Sequence, residues 1–230
     1  MLFNGAEQFD QNLSGWDVSQ ITDFRGMFSN CTLFNSDLSS WDTSNALDMG
    51  YMFHSARNFD QDLSGWKVGT VLYFDRMFQR ASSFSGNLRG WDVGSGTTFE
   101  AMFSNAVLFS SDLSGWNTQS AENMRGMFAG ATPFSAEIGG WNVSKVKNTL
   151  GMFLSLPVFN SDLSQWQLTS VTEMTAMFLL ANAYEKNLCA WGGFVNAGTT
   201  TTNAFVGTSC PTKEDRDLSA SPPGPFCFEC

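Results

Sequence analysis

Residues 9–28 read FDQNLSGWDVSQITDFRGMF, and residues 34–53 repeat the pattern as FNSDLSSWDTSNALDMGYMF. The spacing continues along the chain, so that eight tryptophans follow one another at intervals of 25 residues without a slip. They are Trp16, Trp41, Trp66, Trp91, Trp116, Trp141, Trp166 and Trp191. Self-similarity at a fixed period of about 20–50 residues is typical of repeat proteins, in which each unit packs on its neighbours. The repeat therefore decides the fold.

The other apolar residues of each unit hold fixed places relative to its tryptophan. Leu or Ile lies three residues before it, Phe or Tyr seven residues before it, and a Met-Phe pair follows eleven residues after the first seven tryptophans. One such unit cannot enclose a core, whereas stacked units bury each ring of side chains against the next. Full burial of one indole removes roughly 150–250 Å² from water and contributes about 4–6 kcal/mol before entropy is counted. We therefore interpret the aromatic columns as core.

Two local patterns can be distinguished within a unit. After the first tryptophan, apolar residues recur every three or four positions from Ile21 to Cys31, which predicts a short helix. Before it, residues 9–13 are interpreted as extended, and Trp16 and Val18 follow at strand spacing. The patterns predict one short strand and one short helix in each unit, an α/β fold.

Composition and charge exclude several classes of protein. The 230 residues carry a formal net charge of −10, which disfavours a nucleic-acid partner because such a partner requires a basic surface. No run of about 18 apolar residues is present, so we predict a chain that does not span a membrane. His54 is the only histidine, and we expect it at a solvated helix end rather than in a Ser-His-Asp triad. We predict no enzyme activity and no cofactor.

The unit at residues 9–28 resembles the BspA-type surface-protein repeat, grouped as domain of unknown function 285 (DUF285), with the pattern F-N-x-D-L-S-x-W-D-V-S-x-V-x-x-M-x-x-M-F. The resemblance covers about residues 1–194, with departures that include the Trp191-Gly-Gly stretch. Because the family is similar to leucine-rich repeats, the resemblance implies a right-handed solenoid with one short strand and one short helix per coil. It also implies adhesion or recognition at a cell surface, and it supplies no catalytic residues.

The regular array is expected to end soon after the last tryptophan. We predict an eight-coil solenoid with an incomplete first coil at residues 1–194, followed by a degenerate ninth coil and a Cys- and Pro-rich C-terminal cap at residues 195–230. Four cysteines lie near this end of the chain: Cys189, Cys210, Cys227 and Cys230. An even set fits two disulfides, and hence an oxidising compartment. Three pairings are open; we favour Cys189–Cys210 with Cys227–Cys230 and keep a redox or zinc role for the final CxxC as the alternative.

Two polar columns precede each tryptophan, at distances of four and six residues, and both point to one face of an extended segment. The members that we select as a candidate binding stripe are Asp10, Asn12, Asp37, Asp60, Asp62, Asp112 and Asp162. Three interpretations remain open: side chains that satisfy backbone donors in the turn before the tryptophan, a recognition strip, or a calcium site. No known calcium-binding loop is recognised, so we assign no metal ligand.

These patterns together predict an extracellular or cell-surface module for protein interaction or adhesion. Its partner, a protein or a glycan, would be held by the exposed Asp/Asn/Ser stripe. The alternative is a purely structural spacer or assembly subunit, which joins other chains end to end or within a larger complex or matrix. This assembly could depend on calcium.

Overall fold

The computed structural model describes residues 2–215 and 226–229. Its hydrogen-bonded ladder is a series of isolated parallel bridges between equivalent residues of successive units. The bridges are Asp23–Asp48, Asp48–Tyr73, Tyr73–Thr98, Thr98–Asn123, Asn123–Asn148, Asn148–Glu173 and Glu173–Thr200. The residues seven to fourteen positions after each of the first seven tryptophans begin at a bridge and are called the ladder segment. Their exposed and half-buried side chains form the ladder face. Each unit thus pairs with the next one along the chain.

The predicted α/β solenoid, with one short strand and one short helix in each coil, is wrong. Within the described residues the only helix is a single 3-10 helix at Cys189–Gly193. Each pair of successive units shares one β-bridge, and no strand is formed in the described ranges. The 3-10 helix contains the last tryptophan, and the repeat units before it are built from turns and extended residues.

The segment that the spacing predicts to be helical is a series of tight turns. The N–H groups of Phe24 and Gly26 donate to carbonyls of the next unit, both at 2.8 Å, instead of to carbonyls of their own segment. The N–H of Met27, the next residue, closes a four-residue turn onto the carbonyl of Phe24 at 3.1 Å. Such turns place apolar residues three positions apart, as a helix does. The spacing alone therefore does not distinguish the two structures.

Left-handed backbone recurs at two places in the ladder segments. Ten residues after the tryptophan it occurs at Gly26, Tyr51, Arg76, Ala101, Gly126, Gly151 and Ala176, with φ between 51° and 61°. Fourteen residues after the tryptophan it occurs at Asn30, Ser55, Arg80, Asn105, Gly130, Ser155 and Leu180, with φ between 56° and 72°. A positive φ at the third residue fits a type II turn and is incompatible with a right-handed helix. This backbone is the physical reason that no helix forms.

Aromatic rings are stacked from unit to unit through the core. The rings of Phe28, Phe53 and Phe78 lie at centroid separations of 5.5–5.7 Å, and near-parallel rings continue this column along the chain. The seven tryptophans from Trp41 to Trp191 are at most 4% exposed. Each of them donates its indole N–H to the carbonyl of the Leu or Ile 28 residues earlier, at 2.9–3.1 Å. The aromatic columns are core, as the spacing predicts.

Residues after the last tryptophan continue the packing and cover it. Phe205 stacks on Phe178 with the ring centroids 5.2 Å apart, so it extends the aromatic column. Phe226 packs edge-on against Trp191 at 6.1 Å, and its carbonyl accepts the N–H of Leu188 at 3.2 Å. The division of the chain at residue 194 stays a prediction.

Candidate functional site

The stripe residues four positions before each tryptophan are exposed, and each one caps the turn that leads to the tryptophan. Asp37 and Asp62 accept the backbone N–H of the residue two positions later, both at 2.8 Å. The same bond is made by Asn12, Asn87, Asp112, Asp162 and Asn187. Hydrogen bonds from the serine two positions later lower the pKa values of Asp37, Asp62 and Asp112, which are therefore ionised at neutral pH.

The stripe residues six positions before the tryptophan link successive units. The carboxylate of Asp10 accepts the N–H of Asn35 at 2.9 Å, and that of Asp60 accepts the N–H of Ser85 at 2.8 Å. All seven stripe residues are exposed, yet all of them make a hydrogen bond that orders a turn or a contact between units. This supports the interpretation that the columns satisfy backbone donors. Partner binding by the stripe stays a prediction.

The cysteines near the C-terminus are paired differently from the favoured arrangement. Cys210 and Cys227 form a disulfide, with their Cα atoms 4.8 Å apart. Cys189 is also disulfide-bonded, and Cys230 lies outside the described residues. The favoured pairing of Cys189 with Cys210 and of Cys227 with Cys230 is wrong, because spacing along the chain does not show which cysteines meet. The bond also removes Cys227 from the alternative redox or zinc role of the final CxxC.

The ladder face of the first units carries charged side chains that the repeat pattern did not single out. The guanidinium of Arg25 donates to Asp48 of the next unit at 3.3 Å and to Asp75 of the unit after that at 2.8 Å. The hydrogen bond with Asp75 is the main cause that raises the pKa of Arg25 above its usual value. One cation thus ties three successive units together, and two carboxylates compensate its charge.

Tyr51 is held beside two guanidinium groups. The Cζ atoms of Arg25 and Arg76 lie 4.8 Å and 5.1 Å from the centre of its ring, a cation–π geometry. Arg76 also donates to the Tyr51 hydroxyl and to Glu100. Tyr51 and Arg76 occupy the left-handed position where other units have Gly or Ala, and such backbone costs a bulky residue about 1–3 kcal/mol. The repeat itself therefore does not require these two side chains.

A cavity of about 440 Å³ opens beside Tyr51. Its lining residues are Asn4, Arg25, Gly26, Ser29, Asn30, Tyr51 and His54. Gly26 takes the place that Tyr51 and Arg76 take in the next two units. Because Gly26 has no side chain, the space beside the tyrosine is left open.

His54 lies in the wall of this cavity and is half-buried, so its predicted place at a solvated helix end is wrong. Burial, followed by the positive charges of Arg80 and Arg76, lowers the pKa of His54, and the imidazole is neutral at pH 7. Its Nδ1 atom lies 3.4 Å from Oγ of Ser29. A Ser-His pair acts as nucleophile and base when a third group orients the imidazole. No carboxylate is hydrogen-bonded to His54 in the described part of the chain, and the absence of enzyme activity stays a prediction.

Departure from the repeat is the signal that points to this cavity in the sequence. Thirteen residues after the tryptophan, successive units carry Ser29, His54, Gln79, Ser104, Ala129, Leu154 and Leu179. Ten residues after it, Tyr51 and Arg76 stand among Gly and Ala. Since residues 25 positions apart are neighbours in a stack, these unusual side chains had to meet on one face.

The ranges that the structure describes lack two further kinds of feature. No helix there combines the length and apolar character needed to cross a bilayer. No three His, Cys, Asp or Glu side chains there are grouped to hold a metal ion.

Comparisons with known proteins place the chain in a family. A search of curated proteins finds no match. The family described as "Mycoplasma protein of unknown function, DUF285" matches residues 1–116 and 90–191, which together are most of the 230 residues. The chain therefore belongs to the DUF285 family, as its resemblance predicts.

Proposed function

We propose that the protein is an extracellular or cell-surface interaction module, which holds a protein or glycan partner on the outside of its stacked units. The disulfide supports this location, since such bonds persist in oxidising compartments. The observation that carries the proposal is the cluster of Arg25, Tyr51 and Arg76 on the ladder face. Tyr and Arg are enriched among the residues that dominate binding energy at interfaces. The stack needs only Gly or Ala where Tyr51 and Arg76 stand.

The stripe is the second candidate face of this module. Its carboxylates and amides lie in exposed columns, and a partner with regularly spaced donors would match them. Charge at this face can be removed without loss of the turn caps, because Asn12 and Asn87 make the same hydrogen bond as Asp37 and Asp62. The stripe can therefore be tested independently of stability.

Adhesion of protein-coated beads to cultured epithelial cells tests the proposal. Tyr51→Ala removes the central ring, and its control Gly126→Ala changes the same position of another unit, where the added Cβ meets only the Cβ of Ala129 at 4.0 Å. A third variant combines Asp37→Asn, Asp62→Asn and Asp112→Asn. Beads with the wild-type protein or with Gly126→Ala are expected to adhere, and Tyr51→Ala is expected to abolish adhesion. Because φ at Gly126 is 58°, Gly126→Ala is expected to cost about 1–2 kcal/mol of stability, so the assay is run below the melting temperatures of all variants.

Other outcomes of the bead assay assign or reject the two faces. Loss of adhesion only in the triple Asn variant would assign binding to the stripe and overturn the role of Tyr51. Adhesion that survives in all variants would reject both faces. Failure of the wild-type beads to adhere would reject adhesion to cells and favour the structural alternative.

A structural role in assembly is favoured by one observation at the first unit. Trp16 is 43% exposed, whereas the other seven tryptophans are at most 4% exposed, and Leu2 is 62% exposed. Exposed apolar side chains of this kind form a surface that another chain can cover. Sedimentation velocity of the wild-type chain and of Trp16→Gln tests it: a concentration-dependent oligomer that the substitution dissolves supports assembly, and a monomer at all concentrations rejects it.

A further inference from the structure

We propose that the cavity beside Tyr51 binds one uncharged saccharide unit, so that the partner of the ladder face is a glycan. The inference rests on the proposed interaction function and names the chemistry of its partner. The cavity of about 440 Å³ lies within the range of small-molecule sites. It exists because Gly26 lacks the side chain that the next two units carry at the same position.

The charges around the cavity favour a ligand without charge. The guanidinium of Arg25 is the only cationic group in the lining, and it is bound to Asp48 and Asp75 at 3.3 Å and 2.8 Å. An anionic ligand would therefore compete with two carboxylates for one cation. A cationic ligand would meet Arg25 itself and the neighbouring guanidinium of Arg76.

The hydrogen-bonding groups of the lining match hydroxyl groups. The Ser29 hydroxyl, the amides of Asn4 and Asn30, and the neutral imidazole of His54 each contain both a donor and an acceptor. Sugar hydroxyls also donate and accept, so they can form a hydrogen bond with each of these groups, whether the group donates or accepts. A purely apolar ligand would leave these groups without partners, which is unfavourable when they are removed from water.

The lining is ordered before any ligand arrives. Asn30 donates to the Ser29 hydroxyl at 3.1 Å, and that hydroxyl lies 3.4 Å from Nδ1 of His54. Tyr51 is fixed by two guanidinium groups and by its own left-handed backbone. Groups that are already in place reduce the ordering cost of binding.

Proton NMR of His54 provides a direct test because it is the only histidine in the chain, so its ring protons give an unambiguous signal. The probes are the methyl glycosides of glucose, galactose, mannose and N-acetylglucosamine, with methyl glucuronide as the charged analogue. We expect at least one neutral glycoside to shift the His54 signal saturably, with a Kd of roughly millimolar order, as is usual for a ligand of this size. The charged glucuronide is expected to bind about tenfold more weakly.

Two pairs of variants assign the binding to the cavity. Ser29→Leu fills it with the residue that Leu154 supplies at the same position of another unit, and Ser104→Leu is its control outside the cavity. Ser104 matches Ser29 closely, since it too accepts the amide N–H of the next residue at 3.1 Å. We expect Ser29→Leu to weaken binding by about tenfold and Ser104→Leu to leave it unchanged.

A second pair keeps the test decisive if Ser29→Leu unfolds. Asn30→Gly introduces the residue that Gly130 supplies at the same left-handed position, and Asn105→Gly is its control. Only the first substitution is expected to weaken binding. Absence of any saturable shift with the four neutral glycosides, or tighter binding of the glucuronide, would overturn the saccharide inference. If wild-type beads still adhere to cells in that case, the interaction function stands without it; if they do not, the interaction function itself fails.

Discussion

Substitution of Trp91 by Phe tests how strongly the indoles hold the units together. Trp91 is 2% exposed, stacks on Trp66, and donates to the carbonyl of Leu63 at 2.9 Å. Phe cannot make this bond, while the Leu63 carbonyl still accepts the backbone N–H of Trp66 at 3.0 Å, so the loss is one hydrogen bond, about 1 kcal/mol. The smaller ring also loses about 1 kcal/mol of apolar burial. The sum is roughly 2 kcal/mol, which lowers the melting temperature of a chain of this length by about 4–8 °C.

The control for this substitution is Trp16→Phe, because Trp16 is 43% exposed. It should cost about 1 kcal/mol or less. Differential scanning calorimetry with the disulfides intact measures both melting temperatures. Amide hydrogen exchange of the Trp91 variant should also increase most in the units that contain Trp66 and Trp91 and in the unit that follows. Equal losses of stability in the two variants would refute the claim that the internal indoles join successive units.

Three further perturbations have expected outcomes. Asp62→Ala should lower the melting temperature because it removes the turn cap, whereas Asp62→Asn should not. Because the pKa of Asp62 is lowered in the fold, its ionisation stabilises the fold above about pH 4, and this stabilisation is lost as pH falls through the pKa of the folded state. Replacement of both Cys210 and Cys227 by Ala should cost about 3 kcal/mol in urea unfolding, since the bond closes a loop with a sequence separation of 17. His54→Gln should reduce the loss of stability on acidification: the pKa of His54 is lowered in the fold, so its protonation below about pH 6.5 favours the unfolded chain. Thermal melts between pH 5 and pH 8, about the range in which histidine titrates, check this last outcome against the wild type.

The core could be predicted from the sequence, but its secondary structure could not. A side chain that recurs every 25 residues must either be buried against its equivalents or serve a repeated surface, and the size of the indole favours burial. The distinction between helix and turn depends on φ at positions such as Gly26 and Asn30. Gly and Asn at these places are compatible with a left-handed turn, but Tyr51 and Arg76 at the same position are not signals for it. The apolar spacing, shared by both structures, therefore led to the wrong one.

Only part of the candidate site could be predicted from the sequence. The exposed position of Asp37 and Asp62 follows from the polar columns, and their role as turn caps was one of the open interpretations. The cavity forms beside Gly26, which has no side chain. Its presence could be predicted only by comparing Gly26 with Tyr51, the residue at the same position of the next unit. Disulfide pairing depends on how the residues around Cys210 and Cys227 fold back over Trp191, and the repeat does not extend to these two cysteines.

Electron–electron distances between spin labels test most directly whether the units are stacked in register. Labels at Ser14, Ser64 and Ser164 occupy equivalent positions of three units, in a chain whose buried Cys31 is replaced by Ala. At about 4.8 Å per unit, four units predict roughly 19 Å between Ser64 and Ser164, and six units predict roughly 29 Å between Ser14 and Ser164. Two narrow distributions that differ by about 10 Å are the predicted result. Broad distributions, or a separation that does not increase with the number of units between the labels, would contradict the account.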